Sequence, residues 1–146
     1  MVYLWLPVHP AALSLARDYV RDVLTTWGRE DLGEDAELIA TELSSNAIKA
    51  MGLIEPLGTV PRWVPEASPA CESRLFCLGL YETCVPGKLV VLEVWDSART
   101  PPKLIKAGPD ELGGRGLSMV DHLAESWGYR WLSAGGKVVW AALGGL

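Results

Sequence analysis

The chain has 146 residues, of which 49% are hydrophobic and 21% are charged. These values are typical of a globular domain with a packed core and exclude a disordered chain, and the length predicts a single domain over residues 1–146. Thirteen Lys and Arg residues against eighteen Asp and Glu residues give a formal net charge of −5. Because a negative protein repels polyphosphate backbones, we expect no direct binding of nucleic acid.

The sequence carries no signal for a membrane or for a metal-binding cysteine cluster. No apolar run reaches the ~18 residues that a membrane helix needs, and the first nine residues lack a basic region, which predicts a cytoplasmic protein without membrane contact. Cys71, Cys77 and Cys84 are too widely spaced for a C-x-x-C pair, and neither histidine lies near them. We expect free thiols in the core or in loops.

Two amphipathic helices are predicted in the first third of the chain. After a short apolar stretch at residues 3–6, apolar residues recur at helical spacing over residues 12–27, and Gly28 is a natural stop. A second helix is expected over residues 35–51, with one buried stripe formed by Ile39, Leu43, Ala47 and Ala50.

The segment 52–74 differs in composition and is predicted to be an insertion loop. It is interrupted by Pro56, Pro61, Pro65 and Pro69. Structureless connections longer than ~12–15 residues are uncommon in compact domains, so such a loop is either functional or mobile.

The second half of the chain predicts a sheet and a third helix. Strands are expected at 75–83, 88–95, 128–132 and 137–143, and the helix follows a glycine-rich entrance at 113–116. The fold class is therefore α+β: a two-layer sandwich with a mixed, mostly antiparallel sheet covered on one face by three helices. The candidates for the uncovered face are Gly79, Val91, Glu93 and Trp95.

Glu42 and Asn46 are the first candidate site residues. They lie one turn apart on the second helix and border its apolar stripe, where they would face a ligand held between the two layers. An isolated pair of this kind is also common on a solvated helix surface.

Asp96 is the second candidate. Strand alternation places it on the same side as Val90, Leu92 and Val94, and a carboxylate that continues an apolar face needs a partner. A nucleobase amino group is one suitable donor. The alternative is an aspartate that caps the turn before Ser97.

The run Gly113-Gly-Arg-Gly116 opens a helix, where free N–H groups and the helix dipole favour a phosphate. It matches neither a P-loop nor a dinucleotide-binding fingerprint. Arg99, Lys103 and Lys106 concentrate positive charge ahead of it and either close over a triphosphate or are ordinary solvated residues.

Four elements in this order resemble the GHKL, or Bergerat-fold, ATP-binding family. They are Glu42-Leu-Ser-Ser-Asn46 on a helix, Val94-Trp-Asp96-Ser at a strand end, Gly113-Gly-Arg-Gly-Leu117 opening a helix and Gly136-Lys-Val-Val-Trp140 in the last strand. The chain is most similar to the small stand-alone anti-sigma-factor serine/threonine kinases of bacteria. The resemblance covers nearly the whole chain except 52–74, and it implies the histidine-kinase-like ATPase fold.

The resemblance also implies roles for individual residues. Asn46 matches the asparagine that holds Mg²⁺ against the triphosphate of ATP, Glu42 matches the general base, and Asp96 matches the aspartate that recognises the adenine amino group. The glycine box that follows the ATP lid, residues 97–113, is matched by Gly114, Arg115, Gly116 and Leu117, whose backbone amides meet the phosphates.

The function implied by the resemblance is regulation of transcription by partner switching. Such a protein binds a sigma factor, phosphorylates a serine or threonine on an anti-anti-sigma (STAS-type) protein and often acts as a homodimer in the bacterial cytoplasm.

Three positions depart from the family pattern. Ser97-Ala-Arg99 lacks glycines, Ala50 stands where relatives often have histidine, and Val138 stands where they often have threonine, which removes one polar link worth about 1 kcal/mol. These departures leave open a second interpretation, a non-catalytic ATP-binding module that sequesters a sigma factor or another partner.

Overall fold

The computed structural model describes residues 1–54, 75–84, 87–99, 101–102 and 116–144. A short 3-10 turn, Glu30–Leu32, precedes the second helix. In chain order the described strands and α-helices are β1 (Val2–Pro7), α1 (Ala12–Thr26), α2 (Gly33–Ile54), β2 (Leu75–Glu82), β3 (Val90–Asp96), α3 (Gly116–Leu123), β4 (Ser126–Trp131) and β5 (Lys137–Leu143).

The five strands form one open sheet in the order β1-β2-β3-β5-β4, and each neighbouring pair is antiparallel. The α+β class with three helices is therefore confirmed, whereas the predicted mixed character of the sheet is wrong for the described strands, which pair only in antiparallel fashion. The apolar stretch at residues 3–6 becomes the edge strand β1, which pairs with β2 along its full length.

The core lies between the sheet and the helices because both layers present apolar residues at their own period. Helix α1 buries Ala12, Ala16, Val20 and Leu24, one residue per turn. From the sheet, every second residue of β2 and β3 enters the same cluster: Phe76, Leu78, Leu80, Val90, Leu92 and Val94. Burying a side chain of this size contributes roughly 1.5–3 kcal/mol.

The boundaries of several predicted elements were wrong; α2 begins at Gly33 and not at about residue 35, and β3 begins at Val90 and not at residue 88. Helix α2 continues to Ile54, so the first three residues of the predicted insertion loop are helical, and the rest of that segment lies outside the described residues. Strand β4 begins at Ser126, two residues earlier than predicted. Its first residue, Ser126, pairs with Ala142 of β5, and the indole N–H of Trp127 donates to Asp121 Oδ1 on α3 at 2.9 Å.

The cysteine prediction holds in part. Cys77 and Cys84 are free thiols, and Cys71 lies outside the described residues. Cys77 sits in β2 but faces away from the helices, and burial raises the pKa of its thiol. In the parts of the chain that the structure describes, no helix is long and apolar enough to cross a membrane.

Candidate functional site

The strand register decides which face of the sheet each candidate residue occupies. Asp96 pairs with Lys137, and the preceding pair is Trp95 with Val138. Since side chains alternate along a strand, Asp96 and Lys137 lie on the helix-covered face, whereas Trp95 and Val138 lie on the opposite, open face.

Asp96 is the last residue of β3, and its side chain is almost completely buried. Its Oδ1 atom accepts a hydrogen bond from Lys137 Nζ at 2.8 Å and another from the backbone N–H of Ala98 at 2.9 Å. The predicted continuation of the apolar face is confirmed, because Val90, Leu92 and Val94 are buried on the same side. The alternative interpretation also applies, because Asp96 caps the following turn by accepting the Ala98 N–H.

Lys137 is the residue that sequence reasoning missed. It opens β5, is 1% exposed and forms a buried ion pair with Asp96. Its position could have been predicted from the sequence. Val139, Ala141 and Leu143 alternate along β5, and the same two-residue period places residue 137 on the covered face.

The structure places Val138 on the face opposite Asp96, and the predicted loss of a polar link to adenine stays a prediction. Val138 points to the open face and lines a groove there with Trp5 and Trp95. A hydroxyl at residue 138 would therefore point away from Asp96, and the residue beside the aspartate is Lys137.

Burial and charge act on the Asp96 carboxyl in opposite directions. Burial raises its pKa above the usual value, while the hydrogen bond and positive charge of Lys137 and the Ala98 N–H lower it. In a buried ion pair each charge compensates the other, whereas a single buried charge is left uncompensated. Removing one partner of such a pair typically costs about 3–5 kcal/mol because the other is left uncompensated.

Gly136 allows β5 to approach the end of β3 closely enough for this pair. It has a φ of +83°, and a Cβ atom there would overlap the carbonyl oxygen of Asp96 and lie 3.0 Å from the Cα of Ser97. Both the positive φ and the close approach require glycine at this position.

Glu42 and Asn46 lie together on α2, as predicted. Both are half-buried and flank the buried residues Leu43 and Ala47. Helix α2 packs against both β3 and α3, the elements that carry Asp96 and the last two residues of the glycine box. The fold thus places α2 in contact with each of the other two elements that carry predicted site residues.

The donor set on α2 is compatible with magnesium. Mg²⁺ prefers oxygen ligands, usually one or two from the protein, and completes its shell with water and substrate phosphates. Asn46 offers an amide oxygen and Glu42 a carboxylate one turn away. Among the described residues, no group of three or more His, Cys, Asp or Glu side chains forms a metal site.

The glycine box is only partly described. Gly114 and Arg115 lie outside the described residues, as do Lys103, Lys106 and most of the predicted lid at 97–113. Gly116 begins α3, and the side chain of Leu117 is buried in the core. What Leu117 can offer an anion is therefore its backbone N–H in the first turn of the helix.

The open face of the sheet carries a separate aromatic groove of about 370 Å³. Its lining includes Met1, Tyr3, Trp5, Cys77, Gly79, Glu93, Trp95 and Val138, and none of these is a predicted site residue. The rings of Trp5 and Trp95 meet edge to face with centroids 5.6 Å apart. Gly79, Glu93 and Trp95 thus lie on the open face, and the register places Val91 there as well.

In comparisons with known proteins, no family model and no curated protein matches the chain.

Proposed function

We propose that this chain is an ATP- and Mg²⁺-dependent serine/threonine protein kinase with the histidine-kinase-like ATPase fold. In this proposal it is also an anti-sigma factor that phosphorylates an anti-anti-sigma (STAS-type) protein. One observation carries the proposal: a buried carboxylate, Asp96, ends the central strand on the helix-covered face. It lies on a strand in contact with the helix that carries Glu42 and Asn46.

Each residue has a defined role in this proposal. Asp96 accepts a hydrogen bond from the base, and Asn46 offers its side-chain oxygen to Mg²⁺. The bound metal neutralises charge on the triphosphate. Glu42 accepts the proton of the attacking hydroxyl, a step that typically accounts for ~10²–10⁴-fold in rate. The N–H groups at the start of α3, from Gly116 and Leu117, favour the phosphates.

A second candidate function is a non-catalytic nucleotide-binding module that acts by sequestering a sigma factor. The observations that favour it are departures from the family pattern: Ser97-Ala-Arg99 lacks glycines, and Ala50 and Val138 stand where relatives often have histidine and threonine.

Calorimetric titration with ATP and Mg²⁺, followed by a phosphate-transfer assay, tests both functions. The kinase predicts ATP binding and transfer of radiolabelled γ-phosphate to a STAS-domain protein from the same genome. Glu42→Gln should retain binding and lose at least ~10²-fold in transfer rate. Glu34→Gln is the matched control, since Glu34 is an exposed glutamate in the first turn of the same helix.

The outcomes separate the two candidates. ATP binding without phosphate transfer to any tested STAS-domain protein from the same genome supports the non-catalytic module. Transfer that survives Glu42→Gln contradicts the role of Glu42, and absence of nucleotide binding contradicts both functions.

A further inference from the structure

The buried pair of Asp96 and Lys137 has more hydrogen-bonding capacity than the described protein uses. A lysine ammonium has three N–H donors, and the described residues supply one acceptor, Asp96 Oδ1. That same Oδ1 also takes the Ala98 N–H, so no described residue donates to Oδ2. The exposed fractions are 1% for Lys137 and 2% for Asp96, so the pair has little contact with bulk water. Buried polar groups are normally paired.

We infer that Lys137 and Asp96 together read the edge of a 6-aminopurine, with Lys137 donating to ring atom N1 and Asp96 Oδ2 accepting from the 6-amino group. The inference rests on the proposed ATP binding and adds a residue that determines base specificity. The pair lies at the rim of the sheet, since Asp96 ends β3 and Lys137 begins β5. A base therefore approaches from the strand ends.

The unused groups match adenine better than guanine. Adenine presents one donor, its amino group, beside one acceptor, N1, and the pair offers one free carboxylate oxygen beside an ammonium group. Guanine presents the reverse order, an acceptor at O6 and a donor at N1–H. In the same pose, guanine would place O6 against the carboxylate oxygen and N1–H against the ammonium group, and these unpaired buried groups weaken binding.

The test compares ATP with 1-deaza-ATP, in which N1 is replaced by C–H and the amino group is kept. Calorimetric titration of the full chain should give about 10- to 100-fold weaker binding of 1-deaza-ATP, the usual effect of losing a hydrogen bond to a charged group. Lys137→Met should bind both nucleotides with similar, weakened affinity. Val138→Ala, which changes the adjacent residue on the opposite face, should keep the wild-type ratio of the affinities for ATP and 1-deaza-ATP.

Several results would overturn the inference. One is a wild-type chain that binds ATP and 1-deaza-ATP, or ATP and GTP, equally well. This result would contradict the inference about Lys137 and Asp96 but not the proposed ATP binding. Another is Lys137→Met lowering both affinities by the same factor, which marks Lys137 as a structural partner of Asp96. If circular dichroism shows that Lys137→Met is unfolded, Lys137→Gln is used in its place. This variant should reduce the difference in affinity between ATP and 1-deaza-ATP. A wild-type chain that binds no nucleotide overturns this inference and the proposed function together.

Discussion

The two faces of the sheet are made by the same strands but have different physical characters. The helix-covered face is aliphatic and ends at a charged pair whose side chains are 1% and 2% exposed, Lys137 and Asp96. The open face is aromatic and carries a second pair, Arg130 and Glu93, whose side chains are 51% and 11% exposed. The two pairs have similar lengths, 2.8 Å and 3.1 Å. Their surroundings therefore decide their energetics, since solvent screens the second pair and not the first.

The largest expected effect is the loss of an aromatic side chain from the covered face. Phe76 is fully buried, and Phe76→Ala should lower the free energy of unfolding by about 3–5 kcal/mol because it leaves a cavity in the core. The open-face counterpart, Tyr3→Ala, should cost less than about 1 kcal/mol since Tyr3 is 62% exposed. Urea unfolding monitored by tryptophan fluorescence measures both. Equal losses would contradict the assignment of the open face as solvated.

An effect of similar size comes from separating the buried charges. Lys137→Met should lower the free energy of unfolding by about 3–5 kcal/mol because the Asp96 carboxylate is left buried without its partner. The double variant Asp96→Asn/Lys137→Met should recover more than half of that loss, since the asparagine is neutral and its amide oxygen still accepts the Ala98 N–H. Chemical denaturation of wild type, the two single variants Asp96→Asn and Lys137→Met, and the double variant gives the coupling free energy. A double variant no more stable than the single one would show that Lys137 contributes by packing.

The buried pair also shows where reasoning from sequence succeeds and where it fails. Alternation along β3 predicted the side on which Asp96 lies, because Val90, Leu92 and Val94 form an unambiguous apolar series. Lysine is rarely buried unless paired. Lys137 therefore reads as a solvated residue until the register aligns it with Asp96.

Register was also the missing quantity for the placement of Val138. The position of Val138 relative to Asp96 depends on how β5 pairs with β3, and a shift of one residue exchanges the two faces. Helical positions such as Glu42 and Asn46 need no such pairing, because the 3.6-residue period is local. This difference explains why their placement on one side of α2, next to the buried stripe, was predicted correctly.

The smallest expected effect concerns the ion pair of the open face. Arg130→Ala should lower the free energy of unfolding by less than about 1 kcal/mol, because half of the Arg130 side chain is in solvent and screening weakens its attraction to Glu93. The difference between wild type and variant should shrink further when salt is raised from about 0.1 M to about 1 M, where the Debye length falls from about 10 Å to about 3 Å. Thermal unfolding at the two salt concentrations measures this. A loss comparable to that of Lys137→Met would mean that the open face is covered in solution, since only exclusion of water would give the Arg130–Glu93 pair that energy.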